Sequence, residues 1–537
     1  MSLSSASPLP LALVVVLAVG IVAVSRSAHA GKQIPGPRGL PLLGNLLDLV
    51  RAARPHLLFP AWHARFGPLV RFDVLGFRSV LVSDYDIVVD LLEKRGAIYS
   101  DRPNMVLENE ILGWDAAMPT MRYGAQFRKH RRLSQALLNP TAARSYADLH
   151  SELAERLIDA LRTKPEKFHD HILVYATSTI FRLTYDLDVT SDNDHLARLA
   201  NDAVKKSAEA YQASGALVDV FPSLKWLYTS YPDWAPFSGF KRTVAAIRAE
   251  VVQANGIPYS MVADAIRANT ARPSLVHDAI ANFGGLEHIS AEDEADVRGL
   301  AGILYGAGQE TTMATLNSFI LAMVRTPSVQ RAAHAELDAV LPRGTVPSLD
   351  DRARLPYLEA LVKEVYRWAC PLSIAIPHTV IQDDTYDGYF IPKGTSIIAN
   401  LHAILTACPA PTSFNPTRFL PHLADAEGQR GAVPRDPRDV VFGFGRRRCP
   451  GAHVADNSVW TAIARMLAAF EFLPAEEGAA GVGGSGIGGK GITGKGKARV
   501  PEAAWGQEMA RHPLPFECRI VERVPGVSRL EGLVDAE

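Results

Sequence analysis

From residue 9 to 24 the chain carries no charge and is almost entirely Leu, Val, Ile and Ala, interrupted by Pro10 and Gly20. As a helix this run reaches roughly 24 Å, slightly short of an endoplasmic reticulum bilayer of about 27 Å, so it predicts a membrane span with little tilt. Ala28-His29-Ala30 also has the small residues of a signal-peptide cleavage site. No Lys or Arg precedes the run, whereas Arg26, Lys32 and Arg38 follow it. By the positive-inside rule that bias favours an uncleaved anchor with the body of the chain in the cytosol. Prolines 35, 37 and 41 then fix φ and forbid helix, which predicts a stiff hinge.

Residues 69–82 alternate apolar and polar around Gly76, the pattern of two strands and a turn. Residues 147–163 and 311–340 place apolar side chains three and four apart with few breakers, which predicts helices. Residues 378–398 return to β-branched residues punctuated by Asp387-Gly388 and Pro392-Lys393-Gly394 turn signals. The expected fold is mainly α with minor β, and no repeat of 20 to 50 residues is apparent. Residues 478–497 are Gly, Ser, Lys and Ala with almost nothing to bury, and predict a flexible loop.

A chain of 537 residues, 47% hydrophobic and 21% charged, can bury a large core. Its net charge of -1 provides no basic field to gather nucleic acid. The four cysteines, Cys370, Cys408, Cys449 and Cys518, are too few and scattered for a disulfide framework or a zinc cluster, as expected of a reducing compartment.

One cysteine stands apart. Phe442-Gly443-Phe444-Gly445-Arg446-Arg447-Arg448-Cys449-Pro450-Gly451 precedes a helical stretch at 452–470. The glycines before Cys449 permit a tight backbone turn against a flat ligand, and Gly451 keeps the far side clear. The positive end of the following helix and the nearby arginines favour a thiolate. The run resembles the cysteine loop F-G-x-G-x-R-x-C-x-G of the cytochrome P-450 family at every fixed position. The resemblance implies a helical fold around haem b (iron protoporphyrin IX), with Cys449 as axial thiolate ligand of the iron. It further implies that Arg447 meets a haem propionate and that Phe442 packs beside the ligand loop.

Three further motifs stand in the family's order. Glu364-Val365-Tyr366-Arg367 puts an acid and a base on one helix face, and Asn415-Pro416-Thr417-Arg418-Phe419 resembles the family's P-x-R-F element. Together they imply a buried structural triad of Glu364, Arg367 and Arg418. Ala307-Gly308-Gln309-Glu310-Thr311-Thr312 lies in a helix expected to begin near Ser290, where Gly308 is a weakness and Thr311 can bond its hydroxyl one turn back, opening the helix. It resembles the family's A-G-x-[DE]-T-[ST] element, which implies an oxygen pocket served by Thr311 and a proton relay containing Glu310. In the basic run 128–132, Arg131 best matches a propionate-binding arginine, and the run presents positive charge to an acidic reductase. His378 matches a propionate-binding Arg or His.

Two departures stand out. Phe127 replaces a tryptophan usual in the family, removing one indole hydrogen bond to a propionate. Residues 405–411 are about three residues shorter than the family's aspartate-proline and tyrosine-proline-aspartate-proline turns, which puts the local meander in doubt. Elsewhere the likeness extends from the proline hinge to His512-Pro513-Leu514-Pro515-Phe516, and residues 92–96 and 99–103 resemble fungal microsomal enzymes of secondary metabolism, including aflatoxin-pathway oxidoreductases and tryptamine hydroxylases.

The expected organisation is an anchor at 1–30, a hinge at 31–45 and a haem-thiolate domain at 46–537. The resemblance implies a monooxygenase on the cytosolic face of the endoplasmic reticulum membrane, a single-pass protein. It would take electrons from NADPH through NADPH-cytochrome P-450 reductase, with cytochrome b5 as a second donor, and insert one atom of O2 into a small apolar substrate, in fungal secondary metabolism or xenobiotic oxidation. Substrate contacts are expected from the loop between Asp101 and Thr120, from the helix near Leu304 and from the turn Pro371 to Pro377. The alternatives are a reductase-independent haem-thiolate isomerase or dehydratase, and a non-catalytic haem-binding protein.

Overall fold

The computed structural model describes residues 31–52, 55–191, 194–214, 217–235, 238–342, 344–420, 434–476, 498–506 and 510–523. The expected anchor at 9–24 and the glycine-rich stretch at 478–497 lie outside the described residues. Among the described residues no helix is long and apolar enough to cross a membrane. The chain divides into two compact units, one within residues 1–103 and 377–400, the other within 104–376 and 401–537.

In the first unit, β1 (Leu69–Val74) and β2 (Phe77–Val82) form the expected hairpin. Leu75 and Gly76 take φ of 51° and 82°, the left-handed pair whose twist matches flanking strands. The second strand-rich stretch gives β3 (His378–Thr379), β4 (Asp384–Tyr386), β5 (Tyr389–Ile391) and β6 (Ser396–Ala399). Strand order in the larger sheet is β1-β2-β6-β3, with β2 parallel to β6, while β4 and β5 pair around Asp387-Gly388. The proline-rich segment runs along β1, where the Arg71 N–H donates to the Pro35 carbonyl at 2.9 Å.

The second unit is helical. Its principal helices are α1 (Ala125–Leu138), α2 (Ala147–Thr163), α3 (Phe168–Tyr185), α4 (His195–Ser214), α5 (Gly239–Arg267), α6 (Ala291–Arg325), α7 (Pro356–Trp368) and α8 (Ala452–Ala469). The 35-residue α6 starts where the sequence predicts: the Ser290 hydroxyl accepts from the Asp293 N–H, and Glu292, Asp293 and Glu294 in the first turn suit the helix dipole. The continuous helix expected over 311–340 is in fact two, because Pro327 has no N–H to extend α6 and instead opens a new helix, Pro327–Val340. Leu316, Phe319 and Met323 of α6 share one core with Leu358, Leu361 and Val365 of α7 and Trp460, Ile463 and Leu467 of α8. A sheet of β7 (Phe470–Glu476), β8 (Ala498–Arg499) and β9 (Cys518–Glu522) adds Phe472 to it.

Among the buried ionisable residues, His150 is packed in the helical unit without a charged partner in hydrogen-bond reach. His150 of α2 is 0% exposed, and neither ring nitrogen has a hydrogen-bond partner among the described residues. Burial holds its pKa down at about 4. The folded state therefore keeps His150 neutral where the unfolded chain, with a pKa of about 6.5, takes up a proton. Its contribution to stability is intact above about pH 6.5 and falls by about 1.4 kcal/mol per pH unit down toward about pH 4. Urea unfolding of His150→Met is expected to show a shallower acid-side slope than the parent. Equal slopes would remove His150 from the account.

Candidate functional site

The Cys449 loop is built by hydrogen bonds that need its glycines. The Cys449 N–H donates to the Phe442 carbonyl at 2.7 Å, closing the loop, and Arg448 N–H donates to Gly445 at 3.1 Å inside it. Gly443 and Gly445 sit at φ of 74° and 53°, the left-handed region that glycine enters without strain. Phe444 is buried and pins the loop to the protein, while Phe442 meets the Tyr366 ring edge-on at 5.7 Å. The chain then enters α8, with Cys449 just before its positive end.

Opposing effects act on the sulfur. Burial pushes the Cys449 thiol above its ordinary value, while a Gly451 N–H bond and the charges of Arg131 and Arg448 pull it down. The residue lies within the protein mass and is nonetheless solvent-accessible. Ala307, midway along α6, is likewise exposed although Tyr305, Gly306 and Gln309 around it are buried.

Two arginines tie the loop to its surroundings. Arg131 of α1 donates to the Arg448 carbonyl. Arg447 donates to the carbonyls of Met118 at 3.2 Å and Met121 at 2.8 Å, and its guanidinium lies 3.8 Å from the centre of the Phe127 ring. Phe127 thus occupies its position as a cation–π platform. The carbonyls of Met118 and Met121 belong to a segment in which sequence reasoning found no motif, since backbone acceptors leave no residue-type signature.

On α6, the Thr311 hydroxyl donates to the Ala307 carbonyl at 2.9 Å, the back-bond its position suggests, yet the helix continues without a break. Gly308 has a packing reason to be small: a Cβ there would stand 2.6 Å from Cδ1 of Ile180 on α3. Glu310 faces His512, with 3.8 Å between Oε1 and Nε2, a partner the sequence reading did not find.

Glu364, Arg367 and Arg418 come together and are buried. Arg367 grips Glu364 with two bonds, 2.7 and 2.8 Å, and Arg418 Nε reaches Glu364 Oε1 at 3.2 Å. The same oxygen accepts the Asn415 N–H at 2.8 Å. The shortened segment is wired into this cluster: Arg367 donates to Pro411 and Ser413 carbonyls at 2.9 and 3.0 Å, and Arg418 to Pro409 at 3.1 Å. Ala410 accepts φ of 45° to make that turn. The clipped meander therefore caps the buried arginines despite its length.

His378 lies in the first unit, on β3, buried, with Nδ1 2.7 Å from the Tyr99 carbonyl. A carbonyl only accepts, so Nδ1 carries the proton.

The donor set fits haem b. One cysteine sulfur with an amide donor and flanking arginines suits a single thiolate ligand and an anionic flat group, whereas zinc would take four ligands. An iron ion at the sulfur would keep it deprotonated against the cost of burial.

Comparison with known proteins agrees. The family model for cytochrome P-450 matches residues 34–480. A cytochrome P-450 monooxygenase, eriC, of Hericium erinaceus is 62% identical over 92% of this chain and 92% of its own. Tryptamine 4-monooxygenase of Psilocybe cyanescens is 33% identical over 93% of this chain and 94% of its own. A zebrafish cytochrome P-450 solved with progesterone superposes with a TM-score of 0.68 at 22% identity, covering 87% of this chain and 99% of that one.

Proposed function

The chain belongs to the cytochrome P-450 family and is one of its monooxygenases, and we propose that it uses NADPH-derived electrons to hydroxylate a small apolar molecule of fungal secondary metabolism. The observation that carries the site assignment is the solvent-accessible Cys449 at the end of a closed loop turned by Gly443 and Gly445. Haem b, bound through that sulfur, supplies the oxygen-activating redox chemistry. The chain's own residues then do the rest. Arg131 and Arg447 hold the propionates, and Phe442 shields the ligand loop. Thr311 supplies a hydroxyl in the oxygen pocket, and Glu310 feeds it protons. Overall, RH, O2, NADPH and one proton give ROH, water and NADP+.

Arg128 and Arg132 are exposed on α1, as is Arg446 beside Cys449, a basic face that supports docking of an acidic reductase or cytochrome b5. Membrane attachment at the endoplasmic reticulum rests on the apolar run at 9–24, with the cytosol on the catalytic side. Exposed Leu217, Phe221, Trp226 and Trp234, the last 86% exposed, support that reading as surface suited to lipid. In that organisation the anchor is 1–30, the hinge 31–45 and the catalytic domain 46–537. The relation to tryptamine 4-monooxygenase makes indoles a substrate class to test beside polyketides and terpenoids. Feeding these to cells expressing the chain with a reductase, under 18O2, is expected to give a product carrying one labelled oxygen. If turnover proceeds without NADPH or O2, the proposal is wrong.

Phe127 offers a graded test of haem retention. Tryptophan has the stronger ring face for a guanidinium, worth about 0.5–1 kcal/mol more. Phe127→Trp is expected to slow haem transfer to excess apomyoglobin by about two- to fivefold. An unchanged or faster rate would show that this ring contributes packing alone.

A further inference from the structure

The acid of the α6 motif has a partner that no motif announces. Glu310 Oε1 and His512 Nε2 are 3.8 Å apart, with 23% and 16% of the side chains exposed. That is a few tenths of an ångström beyond a hydrogen bond, and within reach of an ion pair when the imidazole is charged.

Backbone bonds hold His512 in place. Its N–H donates to Ala510 at 3.0 Å and its carbonyl accepts from Gly506 at 2.8 Å, while Leu514 N–H reaches Ala504 at 2.8 Å. Arg511 N–H donates to Pro371 at 2.7 Å, and the Arg511 guanidinium lies 4.3 Å from the centre of the Trp505 ring. Trp505 packs on Leu321 of α6. Glu310, Asn317 and Leu321 are seven and four residues apart and so share one face of α6. The segment is strapped along that face, with His512 at the end that meets Glu310. A strap that only packed would need no charge there.

We propose that His512 is the positioning and proton-entry residue for Glu310, an inference that rests on reading Glu310 as the relay acid. A monooxygenase consumes two protons and two electrons for each O2 it splits, so a route from solvent is required. A solvent proton binds His512 Nε2, and the imidazolium turns the ionised Glu310 carboxylate toward the strap. Transfer from Nε2 to Oε1 leaves a neutral imidazole and a neutral carboxylic acid. The acid releases the proton on the Thr311 side, and the imidazole takes the next one from water. The charged and titratable groups around His512 are Glu310 on α6, His169 on α3 with Asp170 beside it, and Arg511 on its own segment.

The test uses the full-length holoprotein with its reductase and compares His512→Gln, His512→Lys and Glu310→Gln with the parent. NADPH-driven O2 consumption of the parent is expected to fall at least about threefold between about pH 5.5 and about pH 8.5. His512→Gln should be slow and pH-independent over that range, and His512→Lys should hold the carboxylate at every pH without supplying the titrating limb. Independently, a double-mutant cycle of Glu310→Gln and His512→Gln in urea should show coupling of about two- to fivefold in the unfolding constant at about pH 5.5 and none at about pH 8.5. A His512→Gln profile that superimposes on the parent's, or no coupling at the lower pH, overturns the proposal. Absence of the thiolate-type carbon monoxide spectrum in the parent would instead overturn the underlying reading of the site.

Discussion

Cys449→Ser is expected to abolish the strongly red-shifted Soret band of the reduced, carbon monoxide-bound protein while leaving the fold intact. Serine keeps the loop-closing Cys449 N–H bond to Phe442, because that bond is made by backbone. What it loses is the anion. A hydroxyl is far harder to ionise than a thiol, and the Gly451 N–H with the charges of Arg131 and Arg448 gives only partial help even to the thiol. Oxygen turnover with NADPH and reductase should drop by more than about a hundredfold, since losing the ligand exceeds the 10- to 100-fold cost of outer-shell changes. The spectrum is the sharper readout because it reports the ligand and not the substrate. A variant that still shows the thiolate band would move the ligand assignment away from Cys449.

Why Cys449 was legible and its surroundings were not follows from the kind of constraint at work. The loop needs left-handed φ at Gly443 and Gly445, and such needs print themselves as glycine in the sequence. The Leu75-Gly76 and Asp387-Gly388 turns were legible in the same way. Salt-bridged residues three apart on a helix, such as Glu364 and Arg367, also leave a trace, though their burial does not. By contrast, Arg447 is held by carbonyls of Met118 and Met121, and Arg418 by that of Pro409, acceptors that every residue possesses. Glu310 and His512 are some two hundred residues apart in sequence, and only the strapping of the C-terminal segment onto α6 brings them together. The one long-helix error arose because apolar periodicity continues through Pro327, whose ring is tolerated in a first turn but cannot sit in a helix interior.

Glu364→Ala should cost about 3–5 kcal/mol of folding stability, the range for removing one partner of a buried ion pair. The side chains of Arg367 and Arg418 are only 2% and 6% exposed, so each would keep its charge in a place that water reaches poorly. The carbonyls of Pro409, Pro411 and Ser413 would still accept from them, but carbonyl dipoles do not replace a carboxylate. The Asn415 N–H would lose its acceptor as well, freeing the turn that carries Arg418. Haem should be retained less well for the same reason, since α7 packs in one core with α8, the helix that follows Cys449. The internal control is Arg144→Ala at the Arg144–Asp350 pair, whose side chains are 78% and 84% exposed, where no measurable change is expected. Urea midpoints of the two variants separate the cases. A loss below about 1 kcal/mol for Glu364→Ala would mean that the capping carbonyls alone hold the arginines, and that the shortened meander, rather than the carboxylate, is what locks this part of the core.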